Sequence, residues 1–192
     1  MTYFADLSPC TYGGDPLRLD PGRPRVVPPP RAVGWLDADH PFPRGPVDPV
    51  FRTKLGELFE DPWEWGHFRG FHTCEICERD LHNRSYTEVS HSAPARGLKN
   101  LLVPGIHVQY FTPELILHYI DAHQYDPPVE FQSAIKACPP TRSEEYFRAL
   151  FASAGRAYAR QFARVLDEIV VPPEERWAAA ARRALAAIDT SG

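Results

Sequence analysis

Arg69-Gly-Phe-His-Thr-Cys-Glu-Ile-Cys77 contains two cysteines, Cys74 and Cys77, that are separated by only two residues. This spacing is typical of a zinc knuckle or of a redox pair. A knuckle supplies two thiolate ligands and needs two more, because structural zinc is coordinated by four ligands in a tetrahedron. We therefore expect a second pair of ligands elsewhere in the chain.

The strongest candidates for the second pair are two histidines about 40 residues further on, in His118-Tyr-Ile-Asp-Ala-His123. Four residues lie between them, a spacing within the range of zinc fingers. On a regular helix, residues five positions apart point about 140° away from each other. Both rings can face one ion only if the helix distorts or if His123 lies at its end, and Asp126-Pro-Pro128 favours such an end. The sequence therefore predicts that Cys74, Cys77, His118 and His123 bind one Zn²⁺ ion.

His72 is the strongest substitute for one of the two histidines. In a strand, His72 and Cys74 point to the same face, about 6.6 Å apart along the strand. A site in which His72 replaces either histidine of the second pair therefore stays open. His91 and His107 are weaker reserves.

Two other interpretations of the cysteine pair remain open. The pair can consist of small buried core residues, or it can be a redox pair, whose motif normally opens a helix. Here Glu78-Arg-Asp80 follows, and we expect a hairpin rather than a helix, which favours zinc over redox chemistry. Cys10 and Cys138 are single, and each is expected to be a small buried residue or a partly exposed thiol.

The composition predicts a soluble protein with a substantial core. The chain has 192 residues and an apolar share of 43%, which suits one domain or one domain with an appendage. Its formal charge of −4 offers no broad attraction to nucleic acid or to an anionic membrane. No apolar run is long enough to span a membrane, and residues 1–9 lack the features of a secretory signal. We therefore expect a cytoplasmic protein whose four cysteines are thiols or metal ligands rather than disulfides.

Three regions differ in their sequence pattern. Residues 1–32 predict a proline-rich arm that wraps the domain, residues 33–137 a zinc-knuckle α+β core, and residues 138–192 a helical extension packed on that core. The arm contains aromatic residues, which are rare in disordered tails and therefore favour docking. These aromatic residues are Tyr3, Phe4 and Tyr12.

The core region contains several candidate strands. They cover residues 32–36, 84–89, 98–103 and 106–111. The aromatic segment 63–72 suits a further strand that delivers Cys74 to the knuckle. Pro104-Gly105 is a turn signal that joins the last two strands as a hairpin.

Helix signals flank these strands. Asp48 before Pro49 predicts a helix that runs to about residue 60, because aspartate caps free N–H groups and proline fits the first turn. Its predicted apolar stripe consists of Val50, Leu55, Leu58 and Phe59. Thr112 with Pro113 predicts a second helix over residues 114–124 by the same logic, and a short helix follows over residues 129–137.

The last third of the chain is helical in pattern. Thr141 and Glu144 form a predicted capping box, after which apolar residues repeat at helical spacing for about seven turns, to Ile169. A final helix is predicted over residues 174–188, antiparallel to the first. The fold class is therefore α+β, with a small antiparallel sheet, a zinc knuckle, flanking helices and a carboxy-terminal helical pair. This pair could also contact a protein partner or form a homodimer.

Several motifs resemble an uncharacterised bacterial family of small soluble proteins. The motifs are Tyr3-Phe-Ala-Asp-Leu7, Gly34-Trp-Leu-Asp37 with His40-Pro-Phe42, Gly70-Phe-His-Thr-Cys-Glu-Ile-Cys77, and His118-Tyr-Ile-Asp-Ala-His123 with Pro127-Pro128. The resemblance covers about residues 3–135 and leaves the carboxy-terminal helices outside. The family combines a Gly-Phe-His-x-Cys-x-x-Cys motif with a downstream His-x4-His helix and has no assigned activity. The resemblance therefore implies that the two motifs occur together, and it does not identify a substrate.

A structural zinc site in a binding or regulatory protein is the favoured function. Two thiolates and two imidazoles fill the tetrahedron, so the metal would contribute folding free energy and another surface would bind the partner. Candidate surfaces are the helical tail and the tryptophan-rich loops. The tryptophans of these loops are Trp35, Trp63 and Trp65.

A metal-dependent enzyme, a hydrolase or a lyase, is the first alternative. It needs only three protein ligands, for example both cysteines and one histidine, and an open position for water. Glu75 or Glu114 could then move protons. The residues that could orient a substrate are Tyr110, Tyr119 and Asp121. A zinc deaminase is excluded because its His-x-Glu signature does not precede these cysteines.

A nucleic-acid-binding zinc module is the second alternative. The local charge disfavours it, because the acidic residues Glu75, Glu78 and Asp80 surround the knuckle. Nucleic-acid binding of this kind would require a Lys/Arg stripe and would weaken with rising salt.

Overall fold

A computed structural model of the protein describes residues 2–12, 28–63, 72–83, 96–168 and 175–189. Its strands are β1 (Arg31–Ala32), β2 (His72–Thr73), β3 (Arg96–Gly97), β4 (Asn100–Pro104) and β5 (Gln109–Pro113). Its helices are α1 (Pro49–Glu60), α2 (Glu75–Asn83), α3 (Leu115–His123), α4 (Val129–Ala137), α5 (Glu144–Ala154), α6 (Arg156–Glu168) and α7 (Arg176–Asp189). The fold is mixed α+β with small sheets, as predicted.

A three-stranded sheet lies at the centre, in the order β1-β5-β4. β4 and β5 form the predicted antiparallel hairpin, in which Pro104 pairs with Gln109, and β1 runs parallel to β5. Every residue of β4 and β5 is buried, because helices α1, α4 and α5 pack against this hairpin. The strand predicted over residues 84–89 lies outside the described residues.

β1 is shorter than the predicted strand over residues 32–36. The chain turns at Gly34, whose φ of 73° is a conformation that side chains other than glycine rarely adopt. A Cβ atom at Gly34 would also lie 2.9 Å from the Ile116 side chain of α3. The turn therefore ends the strand and lets helix α3 pack closely against it.

A second, two-stranded sheet precedes the cysteine pair. β2 pairs antiparallel with β3, so that His72 faces Gly97 and the strand leads directly to Cys74. Helix α2 begins at the next residue, and the hairpin predicted after Cys77 was therefore wrong. Two glutamates in the first turn of α2, Glu75 and Glu78, stabilise a helix N-terminus through the helix dipole.

Helix α1 begins and ends where the sequence predicts. The Asp48 carboxylate accepts a hydrogen bond from the Val50 N–H (2.9 Å), which caps the helix. Val50, however, is 66% exposed and does not belong to the buried stripe. The buried face repeats at helical spacing and consists of Phe51, Leu55, Leu58 and Phe59.

The predicted threonine cap of α3 was wrong. Thr112 belongs to β5, where its hydroxyl is buried without a hydrogen-bond partner. Glu114 stands at the cap position instead, and its carboxylate accepts hydrogen bonds from the N–H groups of Leu98 (2.9 Å) and Lys99 (3.2 Å). Helix α4, by contrast, has the bounds that the sequence predicts.

The carboxy-terminal region contains three described helices rather than the predicted pair. Ser143, and not Thr141, caps α5 by accepting a hydrogen bond from the Tyr146 N–H (3.0 Å). The predicted seven-turn helix is divided into α5 and α6 at Gly155, which has a φ of 86°. Tyr146 also donates from its hydroxyl to the Leu102 carbonyl (2.6 Å), so α5 rests on β4. Within the described residues, no helix is long and apolar enough to cross a membrane.

The predicted tryptophan-rich binding surface was wrong for Trp35, whereas Trp63 is half-buried. Trp35 is fully buried, and its indole N–H donates to the Phe111 carbonyl (3.0 Å). Trp63 packs against Phe147 of α5 and Trp177 of α7, with 5.0 Å between ring centroids in each pair. Both side chains therefore hold the fold together, and Trp65 lies outside the described residues.

Residues 2–12 dock on the core through their aromatic side chains. Phe4 and Tyr12 both contact the Trp35 ring, at centroid distances of 6.0 Å and 5.0 Å. Tyr3 stacks on His40 at 3.7 Å. The division of the chain into an arm, a core and an extension at residues 32 and 137 stays a prediction.

A half-buried carboxylate links the arm to the core. Asp6 accepts hydrogen bonds from the Gly34 N–H (3.0 Å) and from the Tyr125 hydroxyl (2.7 Å). Burial raises the pKa of Asp6 above its usual range, and the two hydrogen bonds partly oppose that rise.

Replacing Tyr125 with phenylalanine should therefore destabilise the protein. The Asp6 oxygen would lose its donor while it remains buried, so we expect a loss of about 1–3 kcal/mol in the free energy of unfolding. Denaturant unfolding of Tyr125→Phe, Asp6→Asn and the double variant measures the coupling of the pair. Strictly additive losses would contradict the proposed fastening role.

Candidate metal centre

Four side chains converge at one point of the fold: Cys74, Cys77, His118 and His123. One potential ligand atom from each lies within 4.8 Å of all the others. The His123 Nε2 atom is 3.3 Å from both sulfur atoms, and the His118 Nε2 atom is 3.3 Å from the Cys77 sulfur. The structure thus brings together the four residues that the sequence predicts.

The junction of β2 and α2 positions the two cysteines. Cys74 is fully buried between strand and helix, and Cys77 lies in the first turn of α2. The Cys77 N–H points at the Cys74 sulfur (3.4 Å), and the Glu78 N–H donates to the Cys74 carbonyl (3.1 Å). The helix turn therefore folds both sulfurs towards the same side and supplies an N–H group to one of them.

The end of helix α3 positions the two histidines. His123 is the last residue of the helix, and Gln124 adopts a left-handed conformation with a φ of 57°. The N–H groups of Gln124 and Tyr125 both donate to the Tyr119 carbonyl, which closes the helix end. The ring centroids of His118 and His123 are 5.0 Å apart at an interplanar angle of 83°. The helix end that the sequence requires for a shared ion is present.

The distances fit a tetrahedral metal site. With metal–sulfur bonds of about 2.3 Å and metal–nitrogen bonds of about 2.0–2.1 Å, a tetrahedron has sulfur–nitrogen edges of about 3.5 Å. The observed sulfur–nitrogen distances of 3.3 Å lie close to that value. Thiolates and imidazoles are also the ligands that zinc and similar soft or borderline metals prefer. The cluster could therefore hold a metal ion.

Burial affects the charge of these side chains. It raises the pKa of the Cys74 thiol and lowers the pKa of His118, so both side chains favour their neutral forms. A neutral imidazole can act as a ligand directly, whereas a buried thiolate needs a compensating positive charge. A divalent ion in the centre of the cluster would supply that charge.

Neither of the described substitute ligands, His72 and His107, belongs to the cluster. The His72 Nε2 atom lies 3.5 Å from the Tyr12 hydroxyl, and burial lowers the pKa of His72. The His72 side chain therefore faces the arm. His107 is exposed in the turn between β4 and β5, and His91 lies outside the described residues.

Most residues that the enzyme alternative requires are engaged elsewhere. Glu114 caps two backbone N–H groups, and Asp121 forms an ion pair with Arg52 (2.6 Å). The Tyr119 hydroxyl donates to the Leu36 carbonyl (3.3 Å), and Tyr110 is 5% exposed in the core. These contacts explain the four residues as parts of the fold.

Sequence reasoning missed the contact that holds the outer face of α2. Arg79 donates to the Ala38 carbonyl and forms an ion pair with Asp39 (2.5 Å). These residues lie about 40 positions apart, and neither belongs to a recognisable motif. The acidic first turn of α2 was the available signal for the helix itself.

Comparison with known proteins yields one family. The model of a domain of unknown function (DUF7919) matches residues 2–136. No curated protein and no solved structure matches the chain. The matched residues include all four side chains of the cluster.

Proposed function

The chain belongs to the DUF7919 family, and because that description carries no activity, we propose a function from the candidate metal centre. The protein binds one Zn²⁺ ion through Cys74, Cys77, His118 and His123, and this ion stabilises the fold of a binding or regulatory protein. The three sulfur–nitrogen distances of 3.3 Å carry the proposal. They lie close to the length of three of the six edges of a zinc tetrahedron.

The ligand set favours zinc and a structural role. Calcium and magnesium prefer oxygen ligands, whereas two sulfurs and two nitrogens in a tetrahedron are typical of zinc. Four protein ligands leave no position for a water molecule or a substrate, which distinguishes structural from catalytic zinc sites. The ion would join α2 to α3 across about 40 residues of sequence.

The contacts of the candidate enzyme residues support a binding or regulatory role. Glu114, Tyr119 and Asp121 already have partners in the fold, so they are poorly placed to act on a substrate. A structural ion leaves partner recognition to another surface. The predicted partner contact or homodimer through the carboxy-terminal helices remains the best candidate for that surface.

Metal content and cobalt spectroscopy test the zinc site. We expect protein purified without added metal to contain about one zinc per chain. Replacement by Co²⁺ should give the strong visible absorption of a tetrahedral site and a thiolate-to-cobalt charge-transfer band. His123→Ala and Cys77→Ser should lose the metal, whereas the matched control His72→Ala should keep it.

Two results would contradict this proposal. A well-folded, metal-free parent would remove the zinc site altogether. Retention of zinc and fold by His123→Ala would leave three ligands and an open position, which would favour a metal-dependent enzyme.

A further inference from the structure

The two cysteines of the metal centre are also arranged as a redox pair. Cys74 immediately precedes α2 and Cys77 lies in its first turn, which is the position of reactive Cys-x-x-Cys motifs. Their sulfur atoms lie within 4.8 Å of each other, and a disulfide needs about 2.05 Å. We propose that a hydroperoxide converts the zinc-binding thiolates of Cys74 and Cys77 into a reversible disulfide that releases the ion. This inference rests on the proposed zinc site and adds its regulation.

The exposure of the two cysteines determines which of them reacts first with an oxidant. Cys77 and His118 are half-buried, whereas Cys74 is 0% and His123 is 8% exposed. An oxidant from solvent therefore reaches the Cys77 sulfur first. Cys74 lies behind it and acts as the resolving thiolate, as in sensors that keep a second cysteine beside the reactive one.

The reaction balances with a peroxide as the two-electron oxidant. The Cys77 thiolate attacks one peroxide oxygen, which breaks the O–O bond, releases one hydroxide ion and leaves a sulfenic acid on Cys77. The Cys74 thiolate then attacks the Cys77 sulfur, forms the S–S bond and releases the second hydroxide ion. The two thiolates lose two electrons, and the peroxide gains them. A dithiol reductant reverses the change by thiol–disulfide exchange.

Loss of the two thiolate ligands would break the link that the proposed ion makes between α2 and α3. His118 and His123 alone offer two neutral ligands, which is half of a structural zinc site. Of the described contacts of α2, the packing of Ile76 on the core and the contacts of Arg79 with Ala38 and Asp39 would remain, but the Arg79 and Asp39 side chains are 48% and 75% exposed. Exposed ion pairs stabilise little, so oxidation should weaken the attachment of α2 to the core.

The other two cysteines provide an internal control. Cys10 and Cys138 are 3% and 4% exposed, and burial raises the pKa of the Cys138 thiol to about 12. Both lie outside the cluster, so unlike Cys74 they would have no metal ion to hold them as thiolates, and the thiolate is the reactive form. The variant Cys10→Ala/Cys138→Ala should therefore respond to peroxide as the parent does.

Peroxide titration of the full chain tests the inference. Zinc-loaded parent and the Cys10→Ala/Cys138→Ala variant are treated with hydrogen peroxide, and released zinc is measured with a chromogenic chelator. The disulfide is mapped by mass spectrometry, and hydrogen exchange is measured in α2. We expect about one zinc released per Cys74–Cys77 disulfide, a more than tenfold faster exchange in α2, and recovery with a dithiol and zinc.

The outcomes separate this inference from the zinc proposal. Zinc that stays bound while peroxide oxidises Cys10 or Cys138, or while no thiol reacts, would overturn the redox inference and leave the zinc site intact. Release of zinc without the Cys74–Cys77 disulfide would overturn it as well. Protein that contains no zinc before peroxide is added would instead overturn the proposed function.

Discussion

A chelator that removes the proposed zinc ion is expected to unfold the centre of the protein. Zinc contributes on the order of 10 kcal/mol to the folding of isolated finger peptides, and a typical domain has a total stability of about 5–15 kcal/mol. A strong chelator should therefore eliminate most of the stability of the region that contains α2 and α3. Without the ion, burial would favour the neutral Cys74 thiol, and the cluster would lose the metal bonds that join α2 to α3.

Denaturant unfolding with and without a chelator measures this effect. Cys74→Ser should behave like the chelated parent even when zinc is present, because serine is a poor zinc ligand. His72→Ala is the matched control, since His72 precedes the knuckle but lies beside Tyr12 instead of the cluster. Identical unfolding curves for the parent with and without chelator would disprove a structural role for the metal.

Hydrogen exchange gives the prediction a spatial test. We expect the loss of protection to begin in α2 and in the end of α3, where the four ligands lie. The Trp63 cluster with α5 and α7 contains no ligand and should keep more of its protection. Equal loss in both regions would show that the chain unfolds as a single cooperative unit instead.

Replacing Trp35 with alanine is expected to have the second largest effect. Trp35 is fully buried, contacts Phe4, Tyr12 and Phe111 through its ring, and donates to the Phe111 carbonyl. Removing a buried tryptophan side chain costs about 3–5 kcal/mol, because the cavity that remains collapses only partly. The free energy of unfolding should fall by this amount, and the arm should become sensitive to proteases.

Trp35→Phe separates packing from hydrogen bonding. Phenylalanine keeps most of the aromatic contact but lacks the indole N–H. The Phe111 carbonyl would still accept a hydrogen bond from the Val33 N–H (3.1 Å), so we expect a smaller loss than for alanine. Limited proteolysis and denaturant unfolding together check both variants. An alanine variant as stable as the parent would show that the arm does not depend on Trp35.

The four residues of the metal centre could be predicted because their chemistry is selective. Sulfur and imidazole ligands are few in this chain, and the spacing within each pair is typical of zinc sites. The choice between His72 and the second pair could not be made from spacing alone. It depended on where α3 ends and on the contact of His72 with Tyr12, both of which result from tertiary packing.

Local signals also explain which elements of the fold were missed. Asp48 predicted the start of α1 because its carboxylate caps a backbone N–H group of that helix. Thr141 and Ser143 are both typical capping residues for α5, and only the structure shows that Ser143 is the cap. Helix α2 has no long apolar stripe in its described residues, and tertiary contacts contribute much of its stability. Gly155 was a usable signal for the break between α5 and α6, because glycine inside a helical pattern weakens it.

The hydrogen bond between Asp6 and Tyr125 sets an order of events during synthesis. The two residues are 119 positions apart, so the amino-terminal arm is made early but cannot form this bond until residue 125 has left the ribosome. The candidate metal centre likewise needs His118 and His123, so its four side chains can come together only after residue 123 has been made. Both long-range closures carry an entropy cost that local helices do not, so the arm and the metal centre become complete late in folding. Until then the emerging chain presents unpaired thiols and aromatic residues to the cell.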